Sequence, residues 1–453
     1  FPHSVEGWQA HRTPAIFGAF ATPQRILRAL LDVFRIIFYG LFSSEQRDAM
    51  ALTNTSRTDV NRTAILAHLG GHGPASRADL ARMLGVSPAL VTQLSRDLLA
   101  EGLIEELDHS TSQGGGRPAR MLGVVAQTAR AIGVKVAADH IAFVEVGIDG
   151  SVIRSATEPF DAMSPLATSA LVELAGRFIA AGGDSRLLGI GVGIPGTVDE
   201  QGIGVVDSTQ LRWNQVPLGG ALRRALNLPV VVENNVNALS VAERLFGQGR
   251  NSSDFLVVTI GTGVGAGIVS GGSILRGRAG GAGDVGHIPV SDGGPVCQCG
   301  NRGCLEAYIG ESALVAAAVR SGAVREGADI VAVRHAAQAG DERARRVFED
   351  AGRLLGRTLA GVVNVLDPEL VVLLGEGVES WEFWAPFFEP ALRASLVPGK
   401  RGVDVAVETW QDDRWAQGAA ALVLATPFDS DGVAGEQGRL MRERLVSTAG
   451  ARS

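Results

Sequence analysis

The stretch Gly261-Thr262-Gly263-Val264-Gly265-Ala266-Gly267 follows the apolar run Phe255 to Ile260 and decides how the body of this 453-residue chain folds. Glycines let backbone amides approach a phosphate closely, so the loop has the chemistry of a nucleotide site. A dinucleotide loop, however, leads from a strand into a helix. Here Ala266 to Val269 reads as a second strand, which makes the loop a β-hairpin. From about Ala131 to Phe428, short apolar β-runs alternate with longer helical segments, the pattern of an α/β architecture. Ala131 to Val136, Ile141 to Ile148 and Ser151 to Arg154 read as consecutive strands, with Asp149-Gly150 as a turn. Leu188 to Ile194, Val230 to Glu233 and Leu370 to Leu374 read as further strands with helices among them.

All three cysteines lie close together downstream, as His287-x9-Cys297-x-Cys299-x4-Cys304. Three thiolates and an imidazole complete a tetrahedral zinc shell with no open position for a reactive water, so the expected ion is structural. Gly300 and Gly303 suit a loop folded tightly around an ion, because glycine adopts positive φ without strain. The competing reading is three free thiols clustered by chance.

At 46% hydrophobic the chain can bury large cores and is expected to form two or three domains. With every cysteine assigned to the metal there is no disulfide framework, and a reducing cytoplasm fits best. The net charge of −7 offers no global attraction to nucleic acid or an anionic membrane, so any DNA binding must be local. Residues 1–49 contain no methionine before Met50 and no clear period. The apolar run Ile26 to Phe42 is interrupted by Arg28, Asp32 and Arg35, which argues against a membrane span. Either an amphipathic helix or residues preceding the true start accounts for this extension.

From Asp59 the pattern is helical, with Val60, Ile65, Leu66 and Leu69 forming one apolar stripe that ends at Gly70, Gly71, Gly73 and Pro74. Ser76 reads as the N-cap of a second helix to Leu84, Gly85 as a tight turn, and Ser87-Pro88 as the start of a third helix through Leu99. This is helix-turn-helix spacing. In that geometry the third helix enters the major groove by its N-terminal part, placing Ser87, Thr92, Gln93 and Arg96 near bases or phosphates. Leu103 to Glu106 and Met121 to Val125 read as the two strands of a wing, whose tip carries Arg117 toward phosphate or the minor groove. The spacing predicts a winged helix-turn-helix over residues 57–125. A three-helix protein-interaction module is the bland alternative.

Five pieces together resemble the ROK family of bacterial sugar kinases and sugar-responsive repressors: Gly193-Ile194-Pro195-Gly196, Glu233-Asn234-Asn235-Val236-Asn237-Ala238, the Gly261 loop, Gly286-His287-Ile288-Pro289-Val290, and Cys297 to Glu306. The resemblance runs from Asn61 to Ala425 and implies a two-lobed, actin-like (ribonuclease H-like) sugar-kinase fold over residues 130–428. It also implies dimers or tetramers. The tail, 429–453, is rich in Gly, Ser and charge and reads as disordered.

By that resemblance Asn234, Asn235, Asp284, His287 and Glu306 are sugar-contacting positions, with His287 serving zinc and ligand through its two ring nitrogens. The competing reading of Asn234, Asn235 and Glu306 is a helix cap or solvated loop. Two departures bear on activity. Family kinases carry Glu-Asn-Asp where this chain has Glu233-Asn234-Asn235, and a neutral amide cannot act as the base, a loss of roughly 10²- to 10⁴-fold in rate. Their Asp-x-Gly-Gly-Thr phosphate hairpin is replaced by Lys135-Val136-Ala137-Ala138-Asp139. The expected protein is a DNA-binding regulator, a repressor of carbohydrate genes, on a catalytically disabled body. Its partners are operator DNA and a sugar or sugar-phosphate effector, and an effector that strengthens DNA binding would leave the same signature. The alternative is an active kinase in which Glu233 or Asp284 replaces the missing base.

Overall fold

Phe255–Ile260 and Val264–Ser270 run antiparallel in the register Val258 to Ala266, so the glycine loop does close a hairpin. The computed structural model describes residues 61, 62, 65, 66, 68–70, 73–107, 120–125, 129–183, 186–410, 413–426 and 434–446. The N-terminal extension, with Ile26 to Phe42, and the wing tip with Arg117 lie outside the described residues.

Two five-stranded sheets repeat one topology. In the first, Arg130–Val136, His140–Gly147 and Val152–Pro159 form an antiparallel meander, and Leu187–Ile194 then Val230–Asn234 add in parallel on the other side of Arg130–Val136. In the second, Phe255–Ile260, Val264–Ser270 and Ser273–Ile274 form the meander, and Leu370–Leu374 then Asp404–Val407 add in parallel. Central strands covered on both faces need continuous apolar runs, and every residue of Leu187–Ile194 and Phe255–Ile260 is buried.

Helices fill the space around the sheets at close range. Arg414–Ala425 lies on the first sheet with Ala416, Ala419 and Ala420 fully buried. A side chain at Gly133 or Gly191 would meet the carbonyl oxygens of Ala416 or Ala419 at 1.8 Å. Asn235–Phe246 continues from the first sheet and packs on strand Val264–Ser270 of the second. Glu342–Leu366, capped by Asp341, crosses Trp381–Ser395 at Gly352 and Gly356, where a Cβ would lie within 2.6 Å of backbone oxygens.

The amino-terminal part is a winged helix. Ser76 accepts from the Asp79 amide at 3.2 Å and caps Arg77–Leu84, Gly85 turns the chain at φ 62°, and Ser87 caps Pro88–Ala100. Ile104–Leu107 and Met121–Val124 pair antiparallel, with Ala75–Ser76 as the third strand. Its core is continuous with the first lobe: Ile65, Leu69 and Leu103 share one apolar cluster with Ala129, Val146 and Ile148.

The expectation of a disordered tail needs correction. Gly435–Val446 is a helix docked on the first sheet, with Met441 and Leu445 fully buried. Its Gln437 side chain accepts from the Val230 amide at 3.2 Å, and Arg186 donates to the Leu445 carbonyl at 3.1 Å. The apolar positions Ala434, Met441 and Leu445 lie at helical spacing on one face, a sparse stripe that the surrounding charge conceals. Among the described residues no helix is long and apolar enough to cross a membrane.

Candidate functional site

The four residues expected to hold a metal ion come together. His287 and the three cysteines present ligand atoms that all lie within 4.8 Å of one another. His287 Nδ1 is 3.5 Å from Cys297 Sγ, and Cys299 Sγ is 3.7 Å from Cys304 Sγ. A tetrahedral zinc with Zn–S of about 2.3 Å requires sulfur atoms about 3.8 Å apart, so the donors fit. Gly300 (φ 90°) and Gly303 (φ 74°) supply the turns, and a Cβ at Gly303 would strike the Ser291 carbonyl oxygen at 2.0 Å. Burial pushes the Cys297 thiol up to about 12, so a bound cation is what would hold it as thiolate. With Nδ1 facing the sulfurs, the Nε2 side of His287 is left for a ligand.

Between the lobes is a cleft of about 1050 Å³ lined by Asn234, Asn235, Asp284, His287 and Glu306, so all five positions expected to contact a sugar meet there. Their engagements differ. Asn234 is the N-cap of Asn235–Phe246: its Oδ1 accepts from the amides of Val236 (2.8 Å) and Asn237 (3.2 Å), and its Nδ2 donates to the Gly196 carbonyl (2.9 Å). One amide hydrogen remains for a ligand. Asn235 opens that helix. Glu306 is buried and ties two loops together, accepting from the Val264 amide of the hairpin (2.9 Å) and from Gln298 of the cysteine loop (2.7 Å). Through Glu306 the cysteine loop braces the cleft wall. Asp284 is exposed at the rim.

The substitute base is not Glu233. That residue is 3% exposed, and its carboxylate pairs with Arg276 Nε at 2.6 Å and accepts from Asn237 Nδ2 at 3.2 Å and the Asn234 amide at 2.9 Å. It holds the strand-to-helix corner in place.

The glycine loop also divides in two. Only Gly261 and Gly263 belong to the hairpin turn. A Cβ at Gly267 would lie 1.9 Å from Ser240 Oγ, and one at Gly265 would lie 3.3 Å from Val236 Cγ2. These two glycines admit the Asn235–Phe246 helix against the strand. The other hairpin, at Lys135 to Asp139, lines the same cleft, and the bond from His140 to Asp139 (2.7 Å) holds that carboxyl below its usual range.

Sequence reasoning missed Glu376 and Trp415, which also line the cleft. Glu376 follows Leu370–Leu374 between Gly375, at φ 104°, and Gly377. That glycine pair around an acid is the one signal that pointed to it.

On the winged helix Ser87, Thr92, Gln93 and Arg96 are all exposed, while Val91, Leu94 and Leu98 are buried. The Ser87 hydroxyl serves as a cap, and Thr92 Oγ1 donates to the Pro88 carbonyl at 2.8 Å. Gln93 and Arg96 make up the polar remainder of that face.

Comparison with known proteins agrees with both halves. The ROK family profile matches residues 131–426, and the MarR family profile matches residues 60–113. The chain is 30% identical over 324 residues to the xylose repressor of Bacillus subtilis (strain 168), covering 71% of this chain and 83% of that protein. It is 30% identical over 380 residues to the DNA-binding transcriptional dual regulator NagC of Escherichia coli (strain K12), covering 80% and 92%. Among solved structures, a ROK family transcriptional regulator described as a homolog of E. coli MLC superposes with a TM-score of 0.71 at 27% identity, over 86% of this chain and 99% of that one. A ROK family glucokinase from Streptomyces griseus in complex with glucose and AMPPNP gives 0.58 at 28%, over 65% and 98%. A MarR-type winged helix thus precedes the paired lobes, and the chain belongs to the ROK family.

Proposed function

We propose that this protein is a sugar-responsive transcriptional repressor of carbohydrate genes whose kinase-like body senses its effector without phosphorylating it. The observation that carries the reading is the union of an exposed recognition-helix face with a cleft whose base position is Asn235. Its similarity to proteins named xylose repressor and NagC supports it. Gln93 reads base edges, Ser87, Thr92 and Arg96 hold the helix on the backbone, and Arg117 of the wing reaches adjacent phosphate. Asn235, Asp284, His287 and Glu306 hydrogen-bond the sugar, with the free amide hydrogen of Asn234. Zinc, held by His287, Cys297, Cys299 and Cys304, has a structural role, since four protein donors leave no position for water. The protein works in the cytoplasm as a dimer or tetramer, because specific affinity from one winged helix requires two half-sites.

Regulation is a linkage between cleft and operator. The effector favours one arrangement of the lobes, and the apolar cluster joining Leu69 and Leu103 to Ile148 carries that arrangement to the winged helix. A ~100-fold difference in effector affinity between two arrangements, about 2.7 kcal/mol, shifts a balanced population decisively. The test is a gel-shift on the chain's own upstream DNA at fixed salt, titrated with a panel of sugars and sugar phosphates. A specific shift changed by one of them is expected. A chain that binds no specific DNA, or one that releases stoichiometric ADP with a sugar, would overturn the reading.

A further inference from the structure

At the end of the cleft where the two hairpins lie, side chains of the protein bridge from one hairpin toward the other. Glu376 Oε2 lies 2.2 Å from where a Gly261 side chain would begin, so the carboxylate sits directly against the second hairpin. It is pinned there. A Cβ at Gly375 would meet the Ile260 carbonyl oxygen at 2.5 Å, and one at Gly377 would meet Ile260 Cγ2 at 2.7 Å, which fixes the backbone on both sides of Glu376 against the end of the hairpin strand. Trp415 Nε1 donates to Glu376 Oε1 at 3.1 Å. On the other side of the indole, Lys135 Nζ of the first hairpin lies 5.8 Å from the ring centroid. The sequence Lys135, Trp415, Glu376 therefore spans the space from one hairpin to the other.

The electrostatics point the same way. Glycine hairpins attract anions through free backbone amides. Here the Val264 amide is taken by the Glu306 carboxylate, and the Gly261 amide by the Gly263 carbonyl. The carboxylates of Asp139, Asp207, Asp284, Glu306 and Glu376 line the cleft against the cations Lys135 and Arg212. Glu376 lies close enough to contribute, after burial, to raising the Glu311 carboxyl. A phosphate entering this end would meet fixed negative charge and an indole where it needs donors and space.

We infer that Glu376 and Trp415 form a built-in stopper that sets ligand class: the cleft takes an uncharged sugar and excludes nucleoside triphosphates and sugar phosphates alike. The inference rests on the effector-binding reading above and narrows it to one chemical class. The hydroxyl end of a sugar still meets Asn235, His287 and Glu306, whereas a phosphate on that sugar would point at the Glu376 carboxylate.

The experiment is calorimetric binding to the full chain and to its Glu376→Gly and Glu376→Gln variants. The probes are Mg·AMP-PNP, inorganic pyrophosphate, and glucose, xylose and N-acetylglucosamine with their phosphates. Metal content and melting temperature of each variant report that it is folded, and Glu376→Gln keeps the volume while removing the charge. The expected result is no anion binding by the parent at millimolar concentration and a gain of about tenfold or more in both variants, larger for glycine. A parent that binds any of the phosphates as tightly as the variants overturns the inference, as does a folded Glu376→Gly protein that gains nothing. The gel-shift separates this from the functional reading. Release of DNA by a sugar phosphate but not by the free sugar defeats the stopper and leaves the regulator intact. Absence of specific DNA binding defeats the regulator and leaves the anion measurements to stand by themselves.

Discussion

Replacing Gly267 by alanine tests whether the second half of the glycine stretch serves helix packing or ligand approach. The new Cβ would lie 1.9 Å from Ser240 Oγ, 3.1 Å from Ser240 Cβ and 3.1 Å from the Val236 carbonyl oxygen. Ser240 is fully buried and its hydroxyl donates to that same carbonyl at 2.9 Å, so it has no open direction in which to move. Overpacking of this kind costs about 1–3 kcal/mol. Ser240→Ala alone removes one buried hydrogen bond, about 1 kcal/mol. In the double variant the nearest contacts relax to 3.1 Å, which leaves a residual strain below about 1 kcal/mol. The two substitutions should therefore be less costly together than separately, with a coupling of about 1–2 kcal/mol. Hydrogen exchange at the amides of Asn235–Phe246 reads the opening free energy of that helix without requiring the whole chain to unfold in one step. Additive losses would refute the packing argument. So would a Gly267→Ala protein with unchanged protection and impaired sugar or anion binding.

Leu445→Ala should destabilise the chain by about 2–5 kcal/mol, read as a shift in urea midpoint, because its side chain is fully buried under the first sheet; a disordered tail would show no effect. Burial, with Glu408 acting in the same direction against Arg414, pushes Glu243 up to about 7. The folded chain therefore holds a proton that the unfolded chain has released, and this stabilisation is lost as pH rises from the ordinary carboxylate range through about 7. Glu243→Gln should shrink the fall in stability between about pH 5 and about pH 8 by about 1–3 kcal/mol, and an unchanged pH profile would contradict the assignment. Cys299→Ser should lose zinc, measured by atomic absorption, together with sugar response in the gel-shift; full response in zinc-free protein would show that the metal does not brace the cleft. Arg96→Ala should weaken all DNA sequences about equally and flatten the salt dependence, whereas Gln93→Ala should cost about 1–3 kcal/mol on the operator and relax its sequence preference.

What the sequence determined by itself was whatever is encoded over a few residues. Ser76, Gly85 and Ser87 form their caps and turn through hydrogen bonds and dihedral angles within one helical turn, so the helix-turn-helix was readable in advance. The convergence of His287 with the three cysteines was readable for the same reason, since the four donors lie close together in the sequence. The apolar runs at Leu187–Ile194 and Phe255–Ile260 announced central strands because both faces of such strands are covered. That the five positions assigned to the sugar by motif resemblance share one cleft agrees with the sequence, but the division of labour among them was not readable: that Asn234 is mainly a cap and Glu306 mainly a brace depends on where Gly196 and Val264 arrive. Tertiary structure alone decided that Gly265 and Gly267 face a helix, that Glu233 is held by Arg276, that Glu376 and Trp415 close the hairpin end, and that Met441 and Leu445 bury a tail rich in charge. In each case the partner lies far away in the chain, and a glycine, an acid or a sparse apolar stripe carries no local mark of what it will meet. Close approach and charge pairing are properties of two surfaces, and the sequence displays only one of them at a time.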